Sequence, residues 1–381
     1  MRKIILILVS IFLSAQLLAK PALAIYDPAS VPNNKVGIHI LFPSEIDAAA
    51  HLINSTGGDW GYVTIPIAVT DLNLTKWQAF MDKARVDHVI PIIRLATSDD
   101  YFNTSSWNKP TDLDVLEFAN FLNSLTWPTQ NRYVVIFNEP NRDDEWGGKL
   151  NPSEYAQMLS YAVTIFKSKN PDFFIISAGM DNAAANSPLS ENEYNFLYQM
   201  NQAVPGIFNQ IDGIGSHSYP NPAFSGAPND TSSESIDSFF HEENLISEFT
   251  NKKLPVFITE TGWDQTKVPK DIVAQYFPYA FKNVWNDSNV IAVTPFLLEA
   301  GSPFAQFSIL NSDGSESIVS KAIFNMPKIA GKPNLAPIVL AAASVNPKDI
   351  PVIDFTNPKP ITNLSKYLPI TKQIAKYLLH L

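Results

Sequence analysis

Eight short apolar runs alternate in this sequence with longer runs whose apolar residues recur at helical spacing, and that alternation narrows the possible folds more than any other feature. The strand-like runs are Lys35–Phe42, Trp60–Ile67, His88–Leu95, the run opening at Tyr133, Phe173–Met180, Ile211–Tyr219, Leu254–Trp263 and Val290–Ala300. A helical pattern follows each. After the first, Ile46, Ala50 and Ile53 repeat at helical spacing behind Ser44 as N-cap. After the third, Leu113, Val115, Leu116, Phe118, Phe121 and Leu122 supply a buried side behind Asp112 as cap. Strands that are apolar throughout belong to a parallel sheet covered on both faces. Eight strand–helix units in succession predict an α/β chain closed into a (β/α)8 TIM barrel. A doubly wound open sheet is the competing arrangement, but no Gly-x-Gly-x-x-Gly turn follows the first strand.

The barrel accounts for residues 25–326. Residues 1–24 read as a signal peptide: Arg2 and Lys3, an apolar run from Ile4 to Leu18, then Ala22 and Ala24 at small-residue cleavage positions. The expectation is a secreted or cell-surface protein with no membrane span in the mature chain. Residues 327–381 form a proline-rich tail with eight prolines, and its apolar stretch Leu335–Val345 is too short to cross a bilayer. Beyond it, Leu364, Tyr367, Leu368, Ile374, Tyr377, Leu378 and Leu381 recur at helical spacing around Pro369. They make either a terminal helix, packed or loose, or a docking helix.

Composition excludes several functions. The absence of cysteine removes disulfides, thiol catalysis and cysteine metal sites. A net charge of −10 repels phosphate backbones, so no nucleic-acid partner is expected. The six histidines form no His-x-His or His-x-x-x-His pair, so no metal site is expected; no cofactor is expected either, because the chemistry inferred below needs none. The sequence leaves the oligomeric state open.

In a barrel the C-terminal strand ends converge on one mouth. Those ends carry Arg94 (strand three), Asn138 and Glu139 (four), His217 and Tyr219 (six), Glu260 with Trp263 just beyond (seven), and Phe296 (eight). Glu299 is passed over, since two carboxylates suffice. His39 is read as structural, and Asp143, Asp144 and Glu145 as a solvated acidic loop.

The stretches "IFNEPN" and "FITETGW", in that order, resemble the clan of retaining glycoside hydrolases built on (β/α)8 barrels, which includes cellulase-, β-xylosidase- and β-glucanase-like enzymes. The resemblance runs from about Lys35 to Phe324, and "HSY" at strand six shares it. It implies that Glu139 is the acid/base and Glu260 the nucleophile, that Tyr219 orients Glu260, and that Asn138 holds the sugar 2-hydroxyl. Acetal cleavage needs such a pair: an acid for the leaving oxygen and a carboxylate for the oxocarbenium-like carbon. Burial and the charge of Glu260 are expected to keep Glu139 protonated. Arg94 either adds positive charge beneath Glu260 or pairs with a loop acid.

Sugar CH faces stack on aromatic rings, which nominates Trp107, Trp146, Tyr219 and Trp263 as platforms for a polysaccharide or oligosaccharide. Two departures from the clan stand out. Phe296 occupies the strand-eight place where many members carry Trp, and "TIPIAVTD" lacks the arginine many carry after strand two. These leave room for a second reading, a catalytically silent carbohydrate-binding barrel at the cell surface.

Overall fold

The structure, a computed structural model, describes residues 25–102 and 107–337. The segments expected to form a signal peptide and a terminal helix lie outside the described residues. Eight strands run β1 Gly37–His39, β2 Gly61–Ala68, β3 Val89–Ala96, β4 Arg132–Val135, β5 Phe173–Ile176, β6 Ile214–His217, β7 Val256–Glu260 and β8 Val290–Val293. The longer helices between and after them are α1 Ile46–Ile53, α2 Leu74–Val86, α3 Asp112–Ser124, α4 Pro152–Lys169, α5 Glu193–Ala203, α6 Ser238–Ser247, α7 Lys270–Asn283 and α8 Ile318–Asn325. Strands β1 to β5 pair in order and in parallel, as do β6 to β8. Parallel bridges Val36–Val293 and Ile176–Gly213 join the two sheets. The sheet thus closes on itself, and the fold is the (β/α)8 barrel.

Strand periodicity explains why the runs are apolar throughout. Inward residues Tyr62, Ile90, Ile92, Tyr133, Val135, Phe174, Ile176 and Phe257 fill the lumen. Their neighbours Val63, Val89, Ile93, Val134, Ile175, Val256 and Ile258 pack outward against the helices. Tyr62, Tyr133, Phe174 and Phe257 interlock with ring centroids 5.0 to 6.0 Å apart. Each such pair adds about 1 kcal/mol beyond its buried area.

Helix starts follow local hydrogen bonding. Asn73 caps α2 by accepting from Lys76 N at 3.0 Å, and Asn151 caps α4 ahead of Pro152. Two caps differ from expectation. Thr111, not Asp112, caps α3, in a reciprocal box with Asp114. Ser44 lies inside a 3-10 turn, and the Glu45 carboxylate accepts instead from Leu41 N and Phe42 N at 2.9 and 2.7 Å.

The compact unit ends at Pro337. Past residue 326 the chain still crosses the N-terminal side of the barrel. There Lys328 Nζ donates to Ser55 Oγ at 2.8 Å, Gly331 N to Asp59 O at 2.9 Å and Gln130 N to Asn334 O at 2.8 Å. Among the described residues no helix is long and apolar enough to cross a membrane.

Two breaks in strand geometry shape the mouth. Past β4 the backbone turns left-handed at Phe137 (φ +67°) and Glu139 (φ +31°). Phe137 swings outward into the helix layer, leaving Asn138 and Glu139 at the barrel end. At the top of β6 the pairing skips Thr259, so that Ser216 faces Ile258 and His217 faces Glu260. Such a bulge re-aims the side chains beyond it.

Candidate active site

Arg94, Asn138, Glu139, Tyr219, Glu260 and Phe296 all line one cavity of about 210 Å3 at the C-terminal end of the barrel. Arg94 continues the inward register of Ile90 and Ile92, which sends its guanidinium up through the lumen wall. Its Nη1 donates to Glu260 Oε1 at 2.9 Å and also to Asn138 Oδ1. The pairing is therefore with Glu260 and not with a loop acid. The Tyr219 hydroxyl donates to the other oxygen, Glu260 Oε2, at 3.0 Å. Burial, then the charges of Glu260 and Glu139, keep that hydroxyl protonated by pushing its pKa well above the phenol range. Glu260 is thus buried, oriented at both oxygens and paired with a cation.

His217, buried behind the cavity, sits between the two carboxylates: Nδ1 is 2.8 Å from Glu139 Oε1 and 3.9 Å from Glu260 Oε2. One oxygen of each glutamate and this nitrogen lie within 4.8 Å of one another. Among the described residues this trio alone could hold a metal ion; here Arg94 and the His217–Glu139 bond already engage it.

The expected protonation of Glu139 is corrected. Burial does push its pKa up, but the hydrogen bond and charge of His217, with the charges of Arg142 and Arg94, outweigh burial and hold it below the ordinary value. His217 moves oppositely. Burial lowers it, yet the charge of Glu260 and the bond and charge of Glu139 bring it above the ordinary imidazole value. Both directions favour an ionised Glu139 beside a protonated His217. Sequence reasoning weighed the glutamates against each other and left out the imidazole.

Two nominated sugar platforms are also corrected. Trp146 is only 1% exposed, edge-on to Tyr155 at 5.5 Å and to Phe137 at 6.1 Å. Trp146 thus packs in the helix layer between Tyr155 of α4 and the Phe137 ring that the left-handed turn sends outward. Trp263 is likewise 1% exposed, packed on Phe277 of α7 and on Trp285, with Nε1 donating to Gly226 O at 2.8 Å. Trp107 does line the cavity, with Leu41, Tyr101, Phe224, Phe304 and Phe307. Phe296 stands edge-on to His39 at 5.2 Å and to Phe304 at 5.3 Å.

Other residues around the site were missed from the sequence or placed elsewhere by it: Asp144 and Glu145, expected in a solvated loop, line the cavity. His39 is fully buried with Nε2 3.6 Å from Glu260 Oε1 and is kept neutral by burial and by the charges of Arg94 and His217. Arg142 reaches Asp144 at 2.7 Å, Asp181 at 3.3 Å and Glu139 at 3.7 Å. The available signal was position: Asp181 lies just past β5, and Arg142 and Glu145 share the β4 loop with Glu139.

The sequence profile of the glycosyl hydrolase catalytic core matches residues 96–321, more than half of the chain. The chain belongs to this family. No curated protein matches this chain in sequence. Among solved structures, the chain is similar to a glucosidase from Croceicoccus marinus (TM-score 0.56, 13% identity, covering 77% of this chain and 65% of that one). It is also similar to a family 39 glycoside hydrolase from Bacteroides cellulosilyticus (0.54, 18%, 80% and 65%). A third likeness is to a family 128 endo-β-1,3-glucanase from Sorangium cellulosum (0.52, 16%, 77% and 98%). The chain thus spans 65% of the length of the first two, and at these identities the likeness shows the barrel fold alone.

Proposed function

We propose that this glycosidase is a secreted enzyme that cleaves β-glycosidic bonds of a polysaccharide or oligosaccharide by double displacement, with retention at the anomeric carbon. The observation that carries the reading is the approach of Glu139 and Glu260, with His217, to within 4.8 Å across one cavity. A separation near 5 Å suits a retaining pair; a wider gap would admit a water between sugar and base.

The steps follow from the partners. Glu260, held by Arg94 and Tyr219, attacks the anomeric carbon as the glycosidic C–O bond breaks, and Glu139 delivers a proton to the departing oxygen. That proton is stored on His217, supported there by the charge of Glu260. As Glu260 becomes an ester its charge is spent, the support weakens, and the proton passes through Glu139 Oε1 to the leaving group. In the second half Glu139 takes a proton from water, the water oxygen bonds to the anomeric carbon, and Glu260 is released. The arginine absent after β2 is answered by Arg94, which supports turnover over binding alone. A mildly acidic optimum follows from the shared proton.

The test is hydrolysis of aryl β-glycosides by the mature protein, with the anomer of the first product read by NMR. Glu260→Ala and Glu139→Ala should each lower kcat by more than about a thousandfold on oligosaccharides. Unchanged rates, or an inverted first product, overturn the reading. Export is checked separately by N-terminal sequencing of the secreted protein, expected to begin at Ile25.

A further inference from the structure

Three acids besides the reacting pair line the cavity: Asp144, Asp181 and Glu145. Arg142 occupies the first two, at 2.7 and 3.3 Å. Glu145 differs. Its Oε2 is sealed from solvent and meets no hydrogen-bond partner. A ligand does not reach that oxygen while it is sealed, but the side chain lines the cavity, and its other carboxyl oxygen has no hydrogen bond to the protein that a ligand would have to displace. The neighbouring Trp146 is locked in the helix layer. That anchor fixes the loop and holds Glu145 at the cavity.

We propose that Glu145 determines specificity on the leaving-group side: its carboxyl hydrogen-bonds a hydroxyl of the departing sugar and so favours β-linked oligosaccharides over glycosides with a small non-sugar aglycone. The assignment rests on Glu139 being the acid, since the side is fixed by proximity to it. Glu145 shares its loop, and the charge it feels most is that of Glu139. Burial, then that charge, pushes the Glu145 carboxyl up to about 8, so at neutral pH it is uncharged and can donate as well as accept. A neutral acid of this kind complements a sugar hydroxyl, which also does both.

The experiment measures kcat and KM for a p-nitrophenyl β-glycoside and for the β-linked trisaccharide of the same sugar, with the wild type, Glu145→Gln and Glu145→Ala. The amide keeps a donor and an acceptor in the same place. Glu145→Ala should lower kcat/KM on the trisaccharide about tenfold more than on the aryl glycoside, mainly through KM, and Glu145→Gln should recover most of that loss. In the wild type the trisaccharide-to-aryl ratio of kcat/KM should fall above about pH 8, where the carboxyl ionises, and in Glu145→Gln it should stay flat. Equal losses on both substrates, or a glutamine variant no better than alanine, overturn the assignment while leaving the glycosidase reading intact. A wild type that cleaves neither substrate overturns both.

Discussion

Arg94 carries more of the site than its single position suggests. One nitrogen bonds both Asn138 and Glu260, so the guanidinium ties strands four and seven together and places a positive charge beside the proposed nucleophile. Arg94→Ala leaves a buried carboxylate without its cation and should cost about a hundredfold in kcat in steady-state assays. Arg94→Lys should recover little, because an ammonium replaces a planar fork with a point charge. Tyr219→Phe removes one of two bonds to Glu260 and should lower kcat about tenfold with little change in KM. A KM effect alone would make Tyr219 a binding group and not an orienting one. Glu139 and Glu260 were legible in the sequence because strand order alone brings their ends to one mouth. The proton on His217 was not, since it depends on a 2.8 Å contact between side chains 78 positions apart.

At the scale of elements, the β4 loop shows where sequence patterns stop. Eight strands were readable because each is apolar on both faces; most ends fell within four residues of expectation, but β8 stops at Val293, seven short of Ala300. Trp146 and Trp263 were misplaced because a tryptophan in a loop carries no mark of which way it points. For Trp146 the deciding features were the left-handed turn at Phe137 and the contact with Tyr155 of α4. The two roles predict different outcomes. A sugar platform truncated to alanine raises KM and leaves stability alone. The core role predicts that Trp146→Ala destabilises the protein by about 3–5 kcal/mol in denaturant unfolding, and that Trp146→Phe restores part of this. The same substitution should lower kcat, because the loop carrying Arg142 and Glu145 loses its anchor.

Across the whole molecule, burial has collected acids that stay protonated when folded. Burial is the largest cause for each: Glu45 and Glu242 are pushed up to about 7, Glu145 to about 8, and Glu193 well above the ordinary value. A carboxyl raised on folding contributes stability fully below its unfolded pKa near 4.5, and that contribution is lost as pH rises through 7 to 8. His39, lowered on folding, acts oppositely: its contribution is present above about 6.5 and lost as pH falls. Asp172, Asp181, Asp237, Glu243 and His217 are raised as well, whereas Glu139 is lowered like His39; the raised groups predominate and place the maximum in mild acid. The melting temperature should drop by about 5 °C between pH 5.5 and 8.5; a flat or rising profile would show that these carboxyls ionise freely. The aromatic layer of Tyr62, Tyr133, Phe174 and Phe257 has its own consequence. It stoppers the lumen beneath Arg94 and makes the cavity a cul-de-sac, so whatever enters must back out through the same door before the next molecule arrives, and released sugar should compete with incoming substrate.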